Sequence, residues 1–323
     1  MKLGIVGLPG TGKTTLFNSL AGGRTTVAVP DSRVDALAEM YNPKKVTYAQ
    51  IEFVDTAGGR LIEAVRQADA LVHVVRCFDG AKPEADIDQM NVELCLSDLE
   101  IVQRRIDKAK KMAKGDKKFI AEAQFFEKLS EHLDSGSLAR TFPIENQIEE
   151  EWLASVPLLS AKPVLYAANV AEEADEEAIK TVERVAGSNG AAALAFCAPL
   201  EWEIAQLPPE DQAPFLADLG LEQPGLYRLI QASYSLLGLM SFLTAGEPEV
   251  RAWTIKNGLK APLAAGKIHS DIQRGFIRAE VIHFDELIKA GSMAKAKEQK
   301  LVRVEGKEYV MKDGDVVLFR FNV

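Results

Sequence analysis

The chain has 323 residues, 47% of them hydrophobic and 26% charged, and a formal net charge of −9. That length exceeds one average domain, and the composition is that of a folded globular protein, which argues against a disordered chain or a disulfide scaffold. No apolar run is long enough to span a bilayer and the N-terminus lacks a signal-peptide pattern, so the expectation is a cytoplasmic protein with no membrane partner.

The chain opens with a short apolar run, Leu3-Gly4-Ile5-Val6, followed by Gly7-Leu8-Pro9-Gly10-Thr11-Gly12-Lys13-Thr14-Thr15. The spacing Gly-x-x-x-x-Gly-Lys-Thr predicts a buried strand, a glycine-rich loop and then a helix over residues 14–20. Backbone N–H groups of such a loop converge on one point, and the helix N-terminus behind them adds partial positive charge, so the loop suits a polyphosphate. Gly10, Thr11, Gly12, Lys13, Thr14 and Thr15 are the candidate phosphate-binding residues. Lys13 is the candidate catalytic group, reaching the β- and γ-phosphates, and the Thr14 hydroxyl is a candidate magnesium ligand.

Thr25 to Pro30 predicts a strand, and Asp31 to Met40 a short helix with Asp31 as its N-cap. Ile51 to Val54 then leads into Asp55-Thr56-Ala57-Gly58. An aspartate at the end of a buried strand, with a glycine three residues on, predicts a magnesium ligand at Asp55 and a γ-phosphate sensor at Gly58. Many GTPases place a water-orienting glutamine after that glycine; here the residue is Gly59. Either hydrolysis is slow, or another residue or a partner positions the water.

Ala70 to Val75 predicts a further strand of a parallel sheet, with His73 as an ordinary strand residue. From Asp88 to Leu133 the texture is helical and charged, with Val92, Leu96, Leu99, Val102, Ile106 and Ala109 stepping by three and four. Phe119, Phe126, Leu129 and Leu133 repeat the pattern, so two helices joined near Gly115 predict an antiparallel hairpin. Its alternating charges read first as a solvated face and second as a partner-binding surface.

Pro163 to Ala168 resumes the sheet and runs into Asn169-Val170-Ala171-Glu172. GTPases usually carry Asn-Lys-x-Asp here, where the aspartate accepts the guanine N–H donors. Val170 replaces the lysine and Glu172, one methylene longer, replaces the aspartate, which weakens selection for guanine. Asn169 can still bond a purine; alternatively, Asn169 and Glu172 form a helix capping box. Ala192 to Phe196 predicts the last strand of this sheet, with Cys197 and Ala198 in the loop that closes over the base.

Residues 200–243 read as helical, with turns at Pro208-Pro209 and Gln223-Pro224-Gly225. From Glu249 onward the pattern is that of a small mixed β domain. Strands are predicted at Val250–Ile255, Phe276–Ile282, Leu301–Val304, Tyr309–Met311 and Val316–Phe321, with a short helix over Ala261–Gly266. Residues 244–323 hold 14 Lys and Arg against 11 Asp and Glu, too small an excess to argue for RNA by itself. Cys77, Cys95 and Cys197 form no disulfide or zinc spacing and are expected to be reduced and buried.

With these residues in view, the chain resembles the YchF subfamily of Obg-type P-loop nucleotidases along nearly its whole length. The matching strings are Gly4 to Pro9, Val29-Pro30-Asp31, Phe53-Val54-Asp55, His73 to Phe78 and Asn169 to Glu172. Phe242 to Gly246, Glu249 to Ile255, Ala264 to His269 and Lys312 to Asp315 resemble the family's TGS domain. The resemblance implies an α/β P-loop NTPase fold with a parallel sheet, an inserted helical hairpin (coiled coil) and a C-terminal β-grasp TGS domain. The corresponding boundaries are 1–86 and 157–243 for the nucleotidase (G) domain, 87–156 for the hairpin and 244–323 for the TGS-like domain.

The resemblance further implies a slow magnesium-dependent hydrolase that prefers ATP or takes both ATP and GTP. It implies association with the ribosome as a monomer, with an rRNA contact on the large subunit through the TGS domain or the hairpin. A nucleotide-gated binding module with negligible hydrolysis is the alternative; a small-molecule phosphotransferase would leave the TGS-like end unexplained. The chain is shorter than that family after Ala21, after Gly58 and after Phe78, where the family carries a switch threonine for magnesium and a histidine proposed to assist hydrolysis. Either these loops are short or residues are missing from the sequence; an intact mass of 35.3 kDa selects the first.

Overall fold

The structure, a computed structural model, describes residues 1–21, 25–54, 65–113, 116 and 118–322. β1 (Lys2–Val6) leads into α1 (Lys13–Ala21), β2 (Thr26–Ala28), α2 (Ser32–Tyr41), β3 (Val46–Thr47), β4 (Gln50–Val54) and β5 (Ala70–Cys77). Two long helices follow, α3 (Pro83–Ala113) and α4 (Lys118–Asp134), then the short α5 (Gln147–Ala154). β6 (Val164–Val170), α6 (Glu176–Ser188) and β7 (Ala192–Phe196) precede α7 (Ala198–Gln206), α8 (Pro209–Asp218) and α9 (Gly225–Leu236). The remainder is β8 (Leu239–Ala245), β9 (Val250–Lys256), α10 (Ala261–Ile268), α11 (Ser270–Arg274), β10 (Phe276–His283), α12 (Phe284–Ala290), α13 (Met293–Glu298), β11 (Arg303–Glu305) and β12 (Asp315–Phe321).

These elements gather into two compact units, Met1–Thr25 with Glu52–Leu229, and Thr26–Ile51 with Ile230–Val323. In the first, β4-β1-β5-β6-β7 run side by side and parallel. Leu3 pairs with both Phe53 and Ala70, which fixes the register around β1. Strands covered on both faces read as continuous apolar runs, and all seven residues of β6 are buried. Gly4 has no Cβ because one would run into Val65 Cγ1, so the chain after residue 64 packs directly on β1.

The hairpin of α3 and α4 is present, and Val102, Ile106 and Ala109 of the stripe read from the sequence are buried, but before Leu99 the buried face of α3 is a different one. Val92 and Leu96 are 46% and 58% exposed, while Leu94, Cys95, Asp98, Val102, Ile106 and Ala109 are buried. Both stripes keep helical spacing. The structure selects the one containing a carboxylate, because Asp98 is completely satisfied: it accepts from Leu159 N at 2.9 Å, Ser160 N and Ser160 Oγ at 2.7 Å, and Arg66 Nη1 at 3.1 Å. A buried carboxylate is tolerated only with such partners.

In the second unit the sheet order is β11-β10-β12-β8-β9-β3. β10 and β12, and β8 and β9, are antiparallel; β12 and β8, and β3 and β9, are parallel. Ala261, Ala264 and Ala265 of α10 pack on Phe242, Ile255 and Phe319, the helix-on-mixed-sheet arrangement of a β-grasp domain. Residues 239–243, read as helix, lie in β8 in the middle of this sheet, because their side chains alternate between two covered faces. The segment Thr26–Ile51, expected with the first domain, supplies α2, which packs on β8 and β9, and the strand β3. Tyr309–Met311, expected as a strand, makes only the single bridge between Val310 and Lys260.

Candidate nucleotide-binding site

The glycine-rich loop leaves β1 at its C-terminal end, the position at which parallel α/β sheets bind ligands. Gly7, Gly10 and Gly12 have φ of 149°, 78° and 93°, which L side chains rarely adopt. A Cβ on Gly7 would run into the Val74 carbonyl, and one on Gly12 into Asn169 Nδ2, whereas Gly10 faces open space. The loop is thus pressed against the sheet at both ends and open in the middle. Thr11 is buried, its hydroxyl donating to Leu8 O at 3.0 Å, and Lys13 Nζ donates to the same carbonyl at 2.7 Å. The lysine therefore lies across the loop, with Thr14 and Thr15 exposed beside it in the first turn of α1.

Asn169, at the end of β6, joins the loop to the opposite wall. Its Nδ2 donates to Thr11 O and its Oδ1 accepts from Ala198 N, each at 3.0 Å. The side chain is 3% exposed, so these two bonds hold its amide plane, leaving one N–H to spare. The capping-box alternative is not what forms: Asn169 is still in the strand, and α6 begins later, with Asp175 as N-cap. Val170 is buried in β6 and Glu172 is exposed just beyond it. Cys197 is the N-cap residue of α7, followed by the buried Ala198. Burial raises the Cys197 thiol above its ordinary pKa, so it is a packing group and not a thiolate.

Residues 1–21 and 169–198 therefore bring together Gly10, Thr11, Gly12, Lys13, Asn169, Cys197 and Ala198. Asp55, Gly58 and Gly59 lie outside the described residues; β4 ends at Val54, immediately before them. Among the described residues, no three of His, Cys, Asp and Glu gather to hold a metal. The Thr14 hydroxyl, exposed next to Lys13, suits a hard cation held otherwise by phosphate and water oxygens. His73 on β5 is buried, and its pKa falls to about 3, first through burial and then through the positive charges of Arg140 and Lys13. It is a neutral strand histidine whose ring lies 5.3 Å from that of Tyr166, tilted by 39°.

Two supporting groups escaped the sequence reading. Glu201 in α7 accepts from Gly225 N at 2.6 Å and Leu226 N at 3.1 Å, fixing the start of α9. Arg66 donates to Ser97 O, Pro157 O and Asp98, tying the chain just after residues 55–64 to the base of the hairpin. A carboxylate on the apolar stripe of α3 was the available signal for the second.

Over 363 aligned positions, covering 99% of both chains, this sequence is 43% identical to the ribosome-binding ATPase YchF of Bacillus subtilis. The chain belongs to the YchF family of P-loop nucleotidases. The YchF protein of Haemophilus influenzae is 40% identical over all of this chain and 99% of its own. Residues 2–112 match the family described as a 50S ribosome-binding GTPase, and residues 239–322 match the YchF GTPase C-terminal family, described as of unknown function. The solved YchF GTPase of Schizosaccharomyces pombe superposes with a TM-score of 0.87 at 28% identity, over 99% of this chain and 97% of that one. A GTP-binding protein of Pyrococcus horikoshii shares the fold, with a TM-score of 0.66 at 20% identity over the whole of both chains. No helix among the described residues is long and apolar enough to cross a membrane.

Proposed function

We propose that this chain is a slow, magnesium-dependent nucleoside triphosphatase whose nucleotide state controls its binding to ribosomes. The observation that carries the reading is the loop of residues 7–15, whose backbone only glycine permits at Gly7 and Gly12 and whose lysine lies across its mouth. Gly10 to Thr15 cradle the phosphates, Lys13 counters their charge as the catalytic group, and Gly58 senses the γ-phosphate. Thr14 and Asp55 hold magnesium, which when bound neutralises charge on the phosphate oxygens.

Asn169 offers its spare N–H to a purine N7, with Val170 and Glu172 beside the base and Cys197 and Ala198 over it. A glutamate in place of the usual aspartate favours ATP, or ATP and GTP alike, over strict guanine selection. A competition titration of ATP against GTP on nucleotide-stripped protein checks this; a thousandfold preference for GTP would contradict it.

The ribosome enters through the relatives' name and through charge. From Gln103 to Lys118 the hairpin tip carries eight Lys and Arg against two Asp, and the described basic residues there are exposed apart from the half-buried Arg105. A cationic tip on an anionic protein suits an rRNA backbone, so the hairpin is the contact to the large subunit, made by a monomer in the cytoplasm. Gly59 in place of glutamine supports a second reading, a nucleotide-gated binding module with negligible hydrolysis. Single-turnover hydrolysis with and without ribosomes decides: stimulation supports the switch, and no burst in either case supports the module.

A further inference from the structure

Opposite in charge to the hairpin tip, a groove of about 500 Å³ runs between α4 and the segment entering α5. Its floor is aromatic: Phe125 meets Phe142 edge-on at 5.5 Å and lies 5.5 Å from Trp152. Ile148, on its rim, is 58% exposed and lies beside the aromatic floor. Glu145 and Glu149 also line it. Between Thr141 and Ala161 the chain has four glutamates and no Lys, Arg or His, so this wall is uniformly anionic. Lys128 is the one cation lining the groove among the described residues.

Such a rim repels nucleic acid phosphate and attracts cations, while the floor rewards an inserted apolar side chain. We propose that this groove seats a lysine- or arginine-rich protein segment carrying one apolar anchor residue. The inference rests on the ribosome reading and deepens it: the cationic tip faces RNA, and the anionic groove takes a basic protein segment of the same particle. The anchor covers Ile148 and the rings of Phe125, Phe142 and Trp152, and its flanking cations pair with Glu145 and the neighbouring carboxylates.

The test places the photo-crosslinking residue p-benzoylphenylalanine at Ile148, and separately at Lys110 in the tip, in the full chain mixed with purified 70S ribosomes. Pelleting with the ribosome is measured beside crosslinking. The expected result is an Ile148 crosslink mapped to a Lys/Arg-rich segment of a ribosomal protein, with the Lys110 crosslink in rRNA. A crosslink from Ile148 to rRNA or to a second copy of this chain, or none while pelleting persists, would overturn the groove's assignment but not ribosome binding. Loss of pelleting for the unmodified chain would overturn both. Ile148→Asp, at an exposed position, is expected to raise the half-saturating ribosome concentration roughly fivefold or more, with ribosome-free hydrolysis unchanged. An unchanged half-saturation would also reject the proposal.

Discussion

At the scale of single residues, the site depends on one cation and on positions that admit no side chain. Lys13 Nζ has the Leu8 carbonyl for a partner in the structure, and a triphosphate offers it a stronger, charged one. Lys13→Ala is expected to weaken ATP binding by about 2–3 kcal/mol, some 30- to 150-fold by titration calorimetry. Affinity equal to the unmodified chain would remove the basis of the functional reading. His73 gives a pH signature of a different kind. Its folded pKa, near 3, lies below the 6.5 of the exposed ring, so the unfolded chain takes up a proton that the native state refuses. Stability should therefore be unaffected above about pH 6.5 and fall by up to ~1.4 kcal/mol per pH unit below it. Urea midpoints at pH 7 and pH 5, compared with those of His73→Phe, isolate this: the variant should lose less on acidification.

At the scale of elements, the buried pair of Arg66 and Asp98 anchors the hairpin to the nucleotidase sheet. Cross-helix ion pairs, Arg105 with Glu122 and Lys110 with Glu127, both at 2.6 Å, hold the two long helices farther out. Exposed pairs such as the latter contribute little, but Asp98 is 0% exposed and takes four hydrogen bonds. Asp98→Ala leaves a buried guanidinium and two backbone N–H groups without their acceptor, so a loss of about 3–5 kcal/mol is expected in urea unfolding. Lys110→Ala, which removes a solvent-exposed pair, should leave the urea midpoint nearly unchanged. The same element shows why the hairpin and the buried face of its outer part were legible in the sequence while the buried face before Leu99 was not. Two interleaved stripes share the helical period, and only the docked Ser160 and Arg66 make the one with a carboxylate the inner one.

At the scale of the whole molecule, the chain does not fold in sequence blocks. Thr26–Ile51 belongs with Ile230–Val323, giving the C-terminal sheet its strand β3 and the helix α2. Arg33 at the start of α2 bonds both Asp31, at 2.8 Å, and Asp313, at 2.7 Å, and these carboxylates raise its pKa above the ordinary arginine value. Thr47 donates to Glu249 at 2.7 Å. A fragment of residues 230–323 expressed alone should therefore lack a stable fold, because β8 and β9 lose α2, which packs on them, and β9 loses its neighbour β3. Poor amide dispersion in its NMR spectrum, restored when residues 26–51 are supplied by a linker, is the expected outcome. A well-dispersed spectrum from the fragment alone would show that α2 and β3 are dispensable.

What the amino-acid order determined by itself was local or strictly spaced. The phosphate loop, the strand before it and the capped helix at Asp31 each follow from spacing within a few residues, so the pattern alone reports them. Tertiary structure decided the rest. Asn169 became a clamp between Thr11 and Ala198 instead of a helix cap, residues 239–243 became a strand, and a segment near the N-terminus completed the C-terminal sheet. Each of these outcomes depends on partners outside the segment itself, whose burial and hydrogen bonding outweigh local preference only once the chain has brought them together.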